Sequence, residues 1–194
     1  MQYEVTRQDS YSRGLLILRL LFGSIYIGIP HYFMLFFASI WAGILQFLAF
    51  WAVLFTGKYP QSWFEFQVDI QRWVARVTSA LLNMRDEYPA IGRKAVDPAV
   101  NVSVEYPASL SRGLLILRVL FGVIYVGIPH GICLIGRGIA AAVVAFIAWW
   151  AQLFTGRYPE KMFEFVLGTY RWGFRVGAYL SFLTDQYPAF SGKP

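Results

Sequence analysis

Residues 12–31 read SRGLLILRLLFGSIYIGIPH and residues 111–130 read SRGLLILRVLFGVIYVGIPH, identical at 17 of 20 positions. The correspondence continues at a constant offset of 99, Ser12 to Ala90 onto Ser111 to Ala189, with 42 of 79 positions identical and no insertion or deletion. The chain is therefore a tandem duplication. Retention is uneven, because the stretch Tyr32 to Gln46 has largely diverged from its counterpart. What both copies keep is what the unit needs to fold or to act.

The composition points to a bilayer as the solvent. The 194 residues are 57% hydrophobic, 19% aromatic and only 14% charged, against about a quarter charged in soluble domains. No Asp, Glu, Lys or Arg occurs from Leu20 to Gly57, a run of 38 residues. At roughly 1.5 Å per helical residue that run is too long for one crossing and suits a hairpin. In the second copy Gly136-Arg137-Gly138 interrupts the apolar run, and a charge between two glycines reads as a turn at the water interface. The equivalent turn in the first copy falls at Phe37 to Ser39.

The expected fold is an all-α integral membrane protein of two parallel tandem repeats, each a transmembrane hairpin followed by an amphipathic interfacial helix, with four transmembrane helices in total. Repeat 1 covers 12–90 with membrane helices near 14–36 and 40–55 and an amphipathic helix near 61–84. Repeat 2 covers 111–189, with the corresponding helices near 113–135, 139–154 and 160–183. A cytoplasmic segment 1–11, a linker 91–110 and a tail 190–194 complete the chain. Pro30 and Pro129 fall inside the first helix of each copy, where a missing N–H and a ring clash kink it; a competing reading ends the helix at the proline. Phe-Thr-Gly-Lys/Arg-Tyr-Pro follows each hairpin, its Gly57 or Gly156 suiting a helix C-cap. The third helix shows apolar steps of three and four beside a charged face. It is read as lying on the membrane surface, with a third crossing as the alternative.

With the hairpins so placed, every Lys and Arg except Arg137 lies on the side of the termini and linker, which the positive-inside rule makes cytoplasmic. The expected location is the bacterial inner membrane, multi-pass, with both termini cytoplasmic and the copies related by an axis along the membrane normal. The polar start of the chain lacks a cleavable signal pattern, and the first apolar run reads as a retained anchor. The single Cys133 reads as an inert packing residue.

The order Leu-Ser-Arg-Gly, Ile-Pro-His, an apolar helix, Phe-Thr-Gly-Arg-Tyr-Pro, Phe-Glu-Phe, Arg-Trp and a closing Asp-x-Tyr-Pro resembles a family of small bacterial membrane proteins known only as domain of unknown function 4389. Both copies carry it, roughly Ser12 to Ile91 and Tyr106 to Ser191. The resemblance implies the topology and brings no reaction, cofactor or catalytic residue.

Among individual residues, His31 and His130 are the only histidines and follow the two prolines. Paired imidazoles ligate haem iron in some membrane proteins, and a metal or proton relay is another use. The structural alternative is that each imidazole satisfies a backbone carbonyl freed by its proline. Arg19 and Arg118 are read as snorkelling to headgroups, or as pairing with Glu65 and Glu164 to dock the third helix on the first. Arg72, Trp73 and Arg76, with Arg171, Trp172 and Arg175, read as an interfacial basic and aromatic cluster for anionic lipid.

No catalytic triad, paired membrane carboxylates, phosphate loop or metal-spaced Cys/His cluster appears, and no continuous polar path suits a channel. The positive-inside rule accounts for the net charge of +6, so nucleic acid is not expected. The expected function is a non-catalytic accessory or scaffold subunit of an inner-membrane complex, with membrane lipids and other integral membrane subunits as partners, bound phospholipid, no metal and no other cofactor. The alternatives are a lipid-binding or small-solute transport protein acting as a homo-oligomer, and a haem-binding redox subunit through His31 and His130.

Overall fold

A computed structural model describes residues Met1–Pro194. Each repeat consists of one long and one short helix. Helix α1 runs Arg13–Thr56 and α2 Gln61–Leu81; α3 runs Arg112–Thr155 and α4 Glu160–Leu180. Strands β1 (Gln2–Val5) and β2 (Val100–Ser103) form an antiparallel ribbon.

The hairpin expectation is corrected here. Both long helices run unbroken through Phe37–Ser39 and Gly136–Gly138, so there are two long apolar helices where four crossings were expected. Arg137 does not require a turn. It lies two residues from Ile135 and Ile139, about 180° round the helix from them, and so points inward. Its Nε donates to the Thr169 hydroxyl at 3.1 Å and its guanidinium lies 4.6 Å from the centre of the Phe165 ring.

Proline shapes each long helix without ending it. Pro30 lacks an N–H, and its ring would clash with the carbonyl four residues back, at Tyr26. The helix widens instead: Ser24–Gly28 is a π-helical turn in which Ile29 N–H donates to Ser24 C=O. Val123–Gly127 repeats this before Pro129, with Ile128 N–H bonded to Val123 C=O.

The N-termini are capped by Ser12 and Ser111, whose hydroxyls accept from Leu15 and Leu114 N–H. The C-termini end on Gly57 and Gly156 at φ 73° and 72°, left-handed caps that favour glycine. The chain then turns back through Tyr-Pro, and the short helix returns antiparallel along the long one. Ala42 meets Gln67, His31 meets Trp73, and Gly23 approaches Leu81.

The two long helices are antiparallel to each other, each starting where the other ends. Arg13 donates to the carbonyls of Leu153 and Phe154 at 2.9 and 3.1 Å, and Arg112 donates to that of Phe55 at 3.0 Å. These cations sit on helix C-termini, where the macrodipole favours them. Backbone bonds Tyr11 N–H to Gly156 C=O and Leu110 N–H to Gly57 C=O, both 2.8 Å, close the same two ends.

Ribbon register shows the symmetry directly. Tyr3 pairs with Val102, and these two residues are themselves 99 apart, so a pseudo-two-fold axis passes through the pair. The repeat thus begins near residue 2, ten residues earlier than the sequence match, and the two copies meet as in an isologous dimer. Arg72 donates to Val102 C=O at 2.9 Å and Arg171 to Tyr3 C=O at 2.8 Å, so each short helix carries the strand of the other repeat. The linker is correspondingly not a free connection, since it supplies β2.

Three layers result: long helices, then short helices, then the ribbon with its flanking loops. The main clusters of buried side chains lie between these layers, joining Tyr3, Val102, Ala148 and Phe163 in one and Val53, Phe64, Leu115 and Phe182 in another.

Candidate functional site

The motifs shared by both copies converge beside each proline. The carbonyl of Tyr26, deprived of its helical partner by Pro30, accepts the Tyr88 hydroxyl at 3.1 Å; Tyr125 C=O accepts the Tyr187 hydroxyl at 3.1 Å beside Pro129. The tyrosine of the closing Asp-x-Tyr-Pro therefore repairs the bond that proline breaks. The histidine does not, contrary to the sequence reading.

His31 and His130 are fully buried. Trp73 Nε1 donates to His31 Nδ1 at 2.8 Å, and Trp172 Nε1 to His130 Nδ1 at 2.9 Å. An accepting Nδ1 defines a neutral imidazole with its proton on Nε2, and neither Nε2 finds a partner in the chain. The rings are enclosed separately, His31 against Tyr88 and Trp73, His130 against Tyr187, Trp172 and the Phe190 ring, stacked at 3.8 Å. The structure does not bring the two imidazoles into one cavity, as a haem held between them requires. No group of three or more His, Cys, Asp or Glu is placed to hold a metal ion.

Arg19 and Arg118 are buried, yet Glu65 and Glu164 are not their partners. Arg19 donates to the carbonyls of Arg85, Asp86 and Glu87. Arg118 donates to those of Tyr179 and Thr184 and pairs with Asp185. Both arginines thus clamp the loop after the short helix. Asp86 and Asp185 in turn accept from the backbone N–H of Ser12 and Ser111, at 2.7 and 2.6 Å. Glu65 and Glu164 are exposed; Glu65 accepts from Gln61 at 2.9 Å, and Glu164 lies 3.9 Å from Arg171.

The supposed interfacial cluster is corrected too. Trp73 and Trp172 are only 3% and 5% exposed, turned inward onto the histidines. Arg76 donates to the carbonyls of Gly92 and Ala95, both at 2.7 Å, and Arg175 to that of Lys193 at 2.7 Å. Arg171 adds Gly192 C=O at 2.8 Å. Irregular segments crossing a helix carry unpaired carbonyls, and arginine forks satisfy them. Burial accordingly lowers the pKa of Arg76 and Arg175. The charged face of each short helix is a floor for the ribbon and loops.

What remains unpaired is the apolar surface of the two long helices. Along α3, Leu117, Phe121, Ile124, Ile128, Ile132, Ile135, Ile139, Val143, Phe146, Trp150 and Phe154 are all exposed, as are their eleven counterparts from Leu18 to Phe55 along α1. The steps are three and four throughout, and these stripes are the middle of a wider exposed surface, since Leu20, Leu21, Met34, Phe37, Trp41 and Leu48 on α1 and Val119, Leu120, Val123 and Ile147 on α3 are exposed as well. No large apolar side chain is exposed on α2 or α4. Exposed Arg13, Lys58, Arg112 and Arg157 stand at the ends of the long helices. Cys133 is exposed on α3 and makes no disulfide.

The profile of a family described as Domain of unknown function (DUF4389) matches residues 16–91 and again 115–192. The chain belongs to this family, with two copies in tandem. No curated protein and no solved structure shows detectable similarity to it. Each DUF4389 match takes in one proline, histidine, tryptophan and tyrosine cluster, together with the arginine that clamps its loop. The strands that join the two copies lie outside both matched regions.

Proposed function

We propose that this protein is a non-catalytic accessory or scaffold subunit embedded in one face of a bacterial inner membrane, its two long helices lying in the membrane plane. The observation that carries the reading is the paired stripe of exposed apolar side chains, far beyond the few hundred Å² that soluble monomers leave exposed. Each stripe spans 38 residues, roughly 55 Å of helix, against a hydrocarbon core of about 30 Å. Standing upright, the long helices would carry the ribbon and loops, which pack on their middle portions through α2 and α4, at bilayer depth. Lipid-exposed irregular backbone is not tolerated there. Lying flat, they place the side chains of both stripes in lipid and the short helices, ribbon and both termini in the cytoplasm. The pseudo-two-fold axis then runs along the membrane normal. Arg13, Lys58, Arg112 and Arg157 reach the headgroup level, where each basic residue near an anionic surface contributes about 1 kcal/mol.

A scaffold role follows from what the polar groups do. The duplicated pairs His31 and His130, Arg19 and Arg118, and the arginines of the short helices hold the fold, which leaves apolar helix faces and exposed acids such as Glu65 and Glu164 for partner helices and cytoplasmic partners. The test is purification of the tagged chain in mild detergent at native expression level, with mass spectrometry and an absorption spectrum of the eluate. Stoichiometric, colourless partners are expected. A lone species refutes the subunit role, and a Soret band lost in His31→Ala and His130→Ala would replace it with the haem alternative.

A further inference from the structure

We infer that a cavity between α2, α3 and α4 is a binding site for one acyl chain drawn from the surrounding lipid, an inference that rests on the membrane placement above. The cavity has a volume of about 600 Å³ and a largely apolar wall, within the range of about 300–1,000 Å³ typical of small-ligand sites. Its direction can be read from the α2 wheel. At 100° per residue, Ile70, Trp73 and Val77 face α1, Arg72 and Arg76 face the ribbon and loops, and the mean direction of the cavity-lining Gln71, Val74 and Thr78 lies roughly 100° from the first set and roughly 150° from the second. The cavity therefore lies away from the ribbon, on the side where α3 closes it with Leu134, Gly138, Ala141 and Ala142.

The space lies where the two repeats differ. Gly173 and Gly177 stand where repeat 1 has Val74 and Thr78, and with Gly138 they line the cavity. A Cβ at any of the three would meet no atom within 4 Å. Glycine weakens a helix interior, and here no close helix approach accounts for its use. The divergence between copies noted in the sequence thus has a structural result, an open volume on one side of an otherwise two-fold frame. At its wall the Gln71 side-chain oxygen is buried without a hydrogen-bond partner. That oxygen suits a donor at the polar end of an amphiphile, whereas the Gly- and Ala-rich remainder suits a methylene chain.

The experiment uses the full chain in nanodiscs doped either with phosphatidylglycerol carrying a diazirine in its acyl tail or with free diazirine-palmitic acid, photolysed and mapped by peptide mass spectrometry. Adducts are expected on cavity segments 138–142 and 173–177 as well as on the stripe. In Gly173→Leu/Gly177→Leu the cavity adducts should fall at least five-fold while those at Phe36 and Phe47 stay unchanged. Gly173→Ala/Gly177→Ala, which leaves most of the volume, should keep them and so controls for folding. Labelling by the phospholipid identifies a membrane lipid as the source, and labelling by palmitate alone a free fatty acid. Cavity labelling that persists in the leucine variant, or that is missing from the wild type while the stripe is labelled, overturns the site. Loss of labelling on the stripe itself overturns the membrane reading on which it rests.

Discussion

At the scale of single residues, the unit is organised around repairing a proline. Pro30 withholds one N–H, and Tyr88, from 58 residues further along the chain, supplies the missing donor to Tyr26 C=O. Removing that hydroxyl deletes a partly exposed hydrogen bond, a net loss of about 0.5–1.5 kcal/mol. Tyr88→Phe should lower unfolding stability by that amount, as Tyr187→Phe should in the second copy. Pro30→Ala restores the helical donor, so in that background Tyr88→Phe should cost markedly less; a double-mutant cycle by denaturant titration in detergent measures the coupling. Additive effects would show that the hydroxyl has no such task. The buried phenols Tyr3, Tyr59 and Tyr158 add a pH dependence. Burial holds their pKa values above the ordinary range, so the unfolded chain loses these protons first as pH rises past about 10. Their contribution is complete below that pH and is lost above it. Melting temperature followed by circular dichroism should fall as pH rises above about 10, less steeply in Tyr59→Phe/Tyr158→Phe; parallel slopes would assign the loss to other groups.

At the scale of elements, the decisive point is the continuity of the long helices. Gly136 and Gly138 have open space around their α-carbons and no left-handed φ, so Gly136→Ala/Gly138→Ala should stabilise the protein, each by about 0.5–1 kcal/mol, as in any helix interior. A hairpin turn there would be destabilised by the same change, and thermal unfolding decides the sign. The sequence carried the evidence for continuity. Apolar residues recur at steps of three and four from Leu117 to Phe154 without a slip of phase at Arg137, and a turn would have broken that phase. The length of the run, longer than one crossing, points the other way, towards a hairpin. The duplication, the glycine C-caps and the short helices were legible because each rests on local pattern. The partners of Arg19, Arg72 and Arg76 were not, because they are backbone carbonyls of distant loops, which leave no trace in side-chain identity. The strands at Gln2–Val5 and Val100–Ser103 are four residues each, too short for alternation to stand out, and they exist only by pairing across the pseudo-two-fold axis. Tryptophan beside arginine suggested a membrane interface, whereas the indole serves a histidine inside.

At the scale of the whole molecule, the two repeats form an internally paired unit whose polar groups are turned towards its ribbon and loops and whose apolar side is continuous. An antiparallel pair of helices with stripes of roughly 55 Å has a simple fit to a bilayer when it lies flat, and that orientation reconciles the charge distribution with the layer order. The most direct test is a depth scan by electron paramagnetic resonance, with nitroxides placed singly at stripe positions of α1 and α3 in liposomes and collision rates compared for oxygen and a water-soluble nickel chelate. Flat helices give similar, lipid-exposed depths at Phe22, Ile29, Phe36, Phe47 and Phe55, and at the equivalent positions of α3. A depth that rises to one maximum and falls along the helix means a single crossing, and two maxima separated by a shallow point near Phe37–Ser39 mean a hairpin; either profile would contradict the in-plane arrangement.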